Sequence, residues 1–101
     1  MKILSFFGYI ISLLSIYSST SFAQDSAKGK TLYANCVSCH GEQGLGSAEA
    51  KAPKLSGQHD WYTIKQLTEI KSGVRKRSDT APYKGLSDQD IKDLAAYIAT
   101  L

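Results

Sequence analysis

Hydrophobic and polar positions divide the chain into an apolar leader and a mixed remainder. The leader, residues 1–23, begins with Lys2, continues through an apolar run and ends in small residues up to Ala23. This order is typical of a secretory signal peptide, and the interrupted apolar run is short for the ~20 residues of a membrane span. We therefore expect cleavage near Ala23, with an uncleaved anchor as the alternative. Residues 24–101 then form one exported domain.

The remainder has helical periodicity in its first and middle parts. A first helix opens at Asp25 or Ser26, either of which can cap it, and extends to the cysteine pair. Gly29 lies inside this helix, where glycine is costly, so we expect another helix to approach it closely. A second helix covers roughly residues 61–71, with Asp60 as its cap and Gly73 at its end. Its predicted buried face contains Ile64, Leu67, Thr68 and Lys71.

The third predicted helix is the most clearly periodic. Ser87 and the acidic residues that follow it form a capping-box start. Residues 41–57 are rich in glycine and read as a long loop, and Pro82 is expected to stop any helix before it. The sequence thus predicts an all-α fold of three main helices and long loops. The apolar stripe of the third helix contains Ile91, Leu94, Ala95, Ile98 and Leu101, with Tyr97 beside it.

The charge balance argues against a nucleic-acid-binding protein. The chain has 12 Lys and Arg against 9 Asp and Glu, and the leader takes Lys2 with it. Positive charge is concentrated at Arg75, Lys76 and Arg77, with further lysines between residues 65 and 84. This stretch is either a solvated loop or a docking surface for an acidic redox partner.

The only two cysteines, Cys36 and Cys39, are followed directly by His40. A domain of about 80 residues usually needs a metal, a disulfide or a bulky cofactor to complete its core. A disulfide between these cysteines would close a very short loop and restrain the unfolded chain little. A thioredoxin-type site needs a sheet that the sequence does not predict, and a zinc site would need more suitably spaced ligands.

A covalent haem satisfies all of these constraints. The thiols of Cys36 and Cys39 match the spacing of the two porphyrin vinyl groups, and His40 follows as the iron ligand. The large apolar macrocycle would also supply the missing core. We therefore predict one haem c per chain, which agrees with export.

The whole exported part resembles a class I c-type cytochrome, the small single-haem periplasmic type. The matching stretches are "GKTLYANCVSCHG", "APKLSGQ", "YTIKQL", "KSGVRK" and "GLSDQDIKDLAAYIATL". The resemblance implies a cytochrome c fold around the haem and a role in carrying electrons between larger redox proteins, without enzyme activity. It implies that the Pro53 carbonyl accepts a hydrogen bond from His40, that Leu55 packs on the haem, and that Gly29 and Tyr33 cross the last helix near Tyr97.

One departure from the family concerns the sixth iron ligand. Relatives supply a methionine from the loop before the last helix, but Met1 is the only methionine here and Thr80 occupies that place. The alternatives for this ligand are His59, Lys84 or a neighbouring lysine, Tyr83, and a water or vacant position. An open iron would instead indicate a gas-binding sensor or a weak peroxidase.

Overall fold

The computed structural model describes residues 24–77 and 81–101. Within these ranges the chain forms five helices and an isolated antiparallel bridge between Ser47 and Ala52, and no extended strand. The prediction of an all-α fold is confirmed. The predicted signal peptide and Thr80 lie outside the described residues. The helices are α1 (Ser26–Tyr33), α2 (Val37–His40), α3 (Asp60–Ser72), α4 (Ala81–Lys84) and α5 (Asp88–Ile98).

The prediction that the first helix continues to the cysteines was wrong. α1 ends at Tyr33, and the next two amides, of Ala34 and Asn35, bond to carbonyls only three residues back. This tighter turn separates α1 from α2. In α2 the helical hydrogen-bond pattern resumes, with the His40 amide bonded to the Cys36 carbonyl at 3.0 Å.

α3 ends at Ser72, well before Pro82, and the proline itself lies in a further short helix. It is the second residue of the short helix α4. Proline is tolerated in a first turn because its missing N–H group would have no intrahelical acceptor there. The sequence rule concerned helices that precede the proline, and it did not predict the short helix that includes it.

The buried face of α3 differs from the predicted one. Thr63 and Ile70 are buried and Leu67 is half-buried, whereas Thr68 is exposed. The helix packs against α5, and this contact selects a face rotated from the purely apolar positions. His59, not Asp60, is the N-cap residue, and the Asp60 carboxylate accepts the Trp61 amide at 2.7 Å.

α5 begins and packs as its sequence predicts. The Ser87 hydroxyl accepts the Asp90 amide and the Asp90 carboxylate accepts the Ser87 amide, each at 3.0 Å. The Ser87 backbone bond holds the pKa of Asp90 below its ordinary value of 3.8. Leu101 is half-buried, and the fully buried apolar residues of the helix are Ile91, Leu94, Ala95 and Ile98. No helix in the described ranges is long and apolar enough to cross a membrane.

α1 crosses α5 at Gly29. A Cβ atom at this position would lie 2.0 Å from the Asp93 carbonyl oxygen and 2.8 Å from the Tyr97 Cβ. The buried Asp93 carboxylate accepts the amide of Asp25 at 2.8 Å and thus ties the start of α1 to α5. The Tyr33 and Tyr97 rings lie 5.3 Å apart at the other end of the contact. The close approach predicted at Gly29 is therefore confirmed.

Substitution of Gly29 by alanine should separate α1 from α5. Because the added Cβ would collide with backbone, we expect the free energy of unfolding to fall by about 3 kcal/mol. Chemical denaturation of the haem-loaded protein measures this loss.

The matched control is Gly85→Ala, since a Cβ at Gly85 would meet no atom within 4 Å. We expect that variant to stay within about 0.5 kcal/mol of the wild type. Equal stability of the two variants would contradict the role given to the helix crossing.

Candidate cofactor site

The cysteine pair and His40 are arranged by one short helix. Cys36 immediately precedes α2, and Cys39 and His40 lie in its only turn. His40 is buried, Cys36 half-buried and Cys39 exposed, and both thiols are free. α1 holds this helix in place, because the hydroxyl of the buried Tyr33 donates a hydrogen bond of 2.6 Å to the Gly41 carbonyl.

His40 is oriented by a backbone carbonyl. Its Nδ1 lies 2.9 Å from the Pro53 carbonyl oxygen. A carbonyl only accepts, so this hydrogen bond requires the proton on Nδ1 and leaves Nε2 as the unprotonated ring nitrogen. That tautomer is the one in which Nε2 binds a metal ion while Nδ1–H is held by an outer partner. The contact joins His40 and Pro53 as the resemblance implied.

The loop that carries Pro53 depends on Gly46. The Gly46 amide donates to the His40 carbonyl at 2.9 Å, and its φ is +80°. A Cβ at this position would lie 2.7 Å from the Ala52 carbonyl oxygen and 2.8 Å from both the Pro53 carbonyl carbon and the Lys54 nitrogen. A glycine is therefore required where the two halves of the loop meet beside His40.

Two cavities adjoin the cysteine pair. The first is an open space of about 710 Å³ beside α3 and the Pro53 loop, and the second is one of about 910 Å³ beside α1, α2 and α4. Leu55 and Pro53 line the first cavity, and Cys39 lines the second. The residues common to both are Cys36, His40, Arg77, Tyr83 and Leu94.

The walls of the cavities carry charge of one sign. Lys54, Arg75 and Arg77 line them, and no described carboxylate does. The Arg75 guanidinium also donates to the Gln66 side-chain oxygen. An anionic or carboxylate-bearing ligand would balance the positive charge of these side chains, which the apolar walls cannot do.

The basic residues between positions 65 and 77 do not share one environment. The sequence predicted either a solvated loop or a docking surface for this stretch. Lys65 lies 3.9 Å from Glu69 and Lys71 lies 3.5 Å from Asp88, so both are in ion pairs. Arg75 and Arg77 line the cavities, which leaves Lys76 as the exposed cation of the cluster. Spacing in sequence did not reveal that neighbouring basic residues face different surroundings.

The remaining candidates for the sixth iron ligand differ in whether they line the cavities. His59 is exposed, stacks on Trp61 with ring centroids 6.0 Å apart, and lines neither cavity. Lys84 is exposed and also lines neither cavity. Tyr83 is half-buried and lines both. Thr80 lies outside the described residues.

The arrangement of the described residues argues against the zinc alternative. Burial raises the pKa of the Cys36 thiol, and the neighbouring Cys39 raises it further. Burial likewise raises the pKa of Tyr33, with smaller contributions from Cys36 and Tyr97. No group of three or more His, Cys, Asp or Glu in the described ranges is arranged to hold a metal ion.

Comparison with known proteins gives one consistent family. Residues 26–101 match the family model described as Cytochrome c. Cytochrome c4 of Pseudomonas aeruginosa is 40% identical over 95 residues, which cover 90% of this chain and 47% of that protein. Cytochrome c-554(547) of Halothiobacillus neapolitanus is 41% identical over 92 residues, which cover 78% of this chain and 99% of that protein.

Solved structures agree with the sequence comparison. The cytochrome c4 structure from Acidithiobacillus ferrooxidans superposes with a TM-score of 0.68 at 30% identity, over 80% of this chain and 53% of that one. The chain thus spans about half the length of the cytochrome c4 relatives that it matches. It spans nearly the full length of the c-554(547) relative.

Substitution of Gly46 by alanine should disturb the hydrogen bond between His40 and Pro53. The added Cβ would meet the Pro53 backbone, so we expect a loss of stability and a rise in the reduction potential of the haem-loaded protein. The rise follows because a weaker Nδ1–H bond makes the histidine a less basic ligand. Voltammetry and thermal unfolding measure the two effects.

The control is Gly57→Ala. Gly57 has a φ of +81° but no atom within 4 Å of an added Cβ, so alanine there costs only the backbone strain of about 1–2 kcal/mol. We expect its potential to match that of the wild type. A potential shift of equal size in both variants would contradict the role of Gly46.

Proposed function

Because the chain belongs to the cytochrome c family, we propose that residues 24–101 are a single-haem electron-transfer domain. In this proposal Cys36 and Cys39 attach the haem c and His40 binds its iron. The observation that supports it best is the 2.9 Å contact from the His40 Nδ1 to the Pro53 carbonyl, beside the two cavities. Bound haem supplies one-electron exchange between ferric and ferrous iron.

The residues around the cavities fit a haem. Leu55, Leu67, Leu94 and Ile98 provide apolar walls of the first cavity, and Leu32 and Leu86 provide walls of the second. Haem carries two carboxylates, and the charged side chains among the described lining residues are the cations Lys54, Arg75 and Arg77. The walls therefore offer both the apolar contact and the charge balance that the group needs.

The exposure of Cys39 in α2 favours electron transfer over a reaction in a buried active site. Cys39 is exposed while His40 beside it is buried, so the attached group would reach solvent at this edge. Electron exchange needs such an exposed edge, and the pair of arginines and the Pro53 loop enclose the rest. We therefore assign the chain a carrier role and no catalytic activity of its own.

The partners we propose are larger redox proteins. The chain is 34% identical over 67 residues to a protein named thiosulfate dehydrogenase electron acceptor and 34% identical over 96 residues to the CcoP subunit of a cbb3-type cytochrome c oxidase. Exposed Lys54 lines the first cavity and exposed Lys76 lies between the lining residues Arg75 and Arg77 in sequence, and both would favour an acidic partner surface. We place the protein in the periplasm, in line with the predicted signal peptide at residues 1–23.

Removal of both cysteines should abolish covalent haem. In Cys36→Ala/Cys39→Ala no thioether can form, so we expect no haem signal after denaturation in the pyridine haemochrome assay. Thr31→Ala is the control, since Thr31 is exposed on α1 and lines neither cavity. Haem that survives denaturation in the double variant would refute the attachment.

Spectra of the haem-loaded protein test the carrier role. We expect reversible one-electron reduction and a ferrous spectrum that carbon monoxide changes only slowly. His59→Ala should leave both unchanged, because His59 is exposed and lines neither cavity. High-spin bands with rapid carbon monoxide uptake would favour the gas-binding alternative and contradict the carrier.

A further inference from the structure

The side of the iron opposite His40 lacks the residue that usually covers it. Met1 is the only methionine in the sequence, and it lies in the predicted leader. Electron transfer nevertheless requires that small molecules do not occupy the iron. Some other side chain near the cavities must therefore protect it, and the described residues offer one.

Tyr83 has the position for this role. It is half-buried and borders both cavities, as Cys36 and His40 do. It belongs to α4, which packs against α3, whereas His40 belongs to α2 and is held by Tyr33 and Pro53. The tyrosine and the histidine thus come from separately anchored elements that border the same space.

Arg77 lies over the ring of Tyr83. The guanidinium carbon of Arg77 lies 5.9 Å from the centroid of the Tyr83 ring, and Arg77 borders both cavities as well. A cation over an aromatic face is attracted by the ring electrons, and more strongly where water is partly excluded. The contact joins Arg77 to a short helix of four residues.

We propose that Tyr83 covers the iron on the side opposite His40 and limits the access of small neutral ligands to it, with Arg77 as its positioning residue. This inference rests on the haem attachment proposed above. Lys84 follows in the same helix, is exposed and lines neither cavity, so only one face of α4 is involved.

Carbon monoxide binding to the ferrous, haem-loaded protein tests the proposal. Tyr83→Ala should bind carbon monoxide about tenfold faster than the wild type, which corresponds to about 1.4 kcal/mol in the barrier. Tyr83→Phe keeps the ring and should stay close to the wild type. Lys84→Ala is the matched control from the same helix and should show no change.

Arg77→Ala tests the positioning role. We expect a smaller acceleration than in Tyr83→Ala, and none in the neighbouring Lys76→Ala, whose side chain is exposed. In a Tyr83→Ala background the Arg77 substitution should add nothing, because the ring that it positions is gone. An additive effect in the double variant would show that Arg77 acts independently of Tyr83.

The failure of this proposal differs from the failure of the proposed function. If Tyr83→Ala carries covalent haem and binds carbon monoxide at the wild-type rate, the assignment of Tyr83 is overturned while the carrier role stands. If the wild type carries no covalent haem, the proposed function fails first. Should Tyr83→Ala not retain haem, Tyr83→Leu removes the ring at lower risk to folding and gives the same comparison.

Discussion

The contact on which the rest of the structure depends is the crossing of α1 and α5 at Gly29. Backbone of α5 lies where any side chain of residue 29 would be, and the Asp93 carboxylate ties the start of α1 to the same helix. Tyr33 then packs on Tyr97 and donates to the Gly41 carbonyl. The helix crossing thereby sets the position of α2, which carries Cys39 and His40, and of Cys36 immediately before it.

A second constraint brings the opposite wall of the cofactor site to His40. The loop before α3 folds back on itself, and at Gly46 its two backbone segments lie too close together for a side chain. Its amide bonds to the His40 carbonyl while the Pro53 carbonyl meets the His40 ring. One residue is thus held through its backbone and its side chain by the same loop, which fixes the ring before any metal binds.

Local signals predicted the parts of the fold that depend on neighbouring residues. The capping box at Ser87 and the apolar stripe of α5 are short-range patterns, and both are confirmed. The face of α3 was not predicted, because the pattern of apolar positions does not indicate that the polar Thr63 is buried beside the first cavity. Asp93 was missed for a similar reason: a buried carboxylate is only identifiable once the amide of Asp25, far away in sequence, is found to bond to it.

The cofactor site was predictable where the motif is contiguous and not where the chain folds back. Cys36, Cys39 and His40 form one short pattern, whereas Arg75 and Arg77 read as part of a solvated basic stretch and instead line the cavities. Cations against apolar walls are costly unless an opposite charge joins them. A group with carboxylates would remove that cost, so the stability of this region depends on the cofactor that the region encloses. Arg75 and Arg77, which the sequence pattern did not place, are therefore residues whose charge a bound haem would balance.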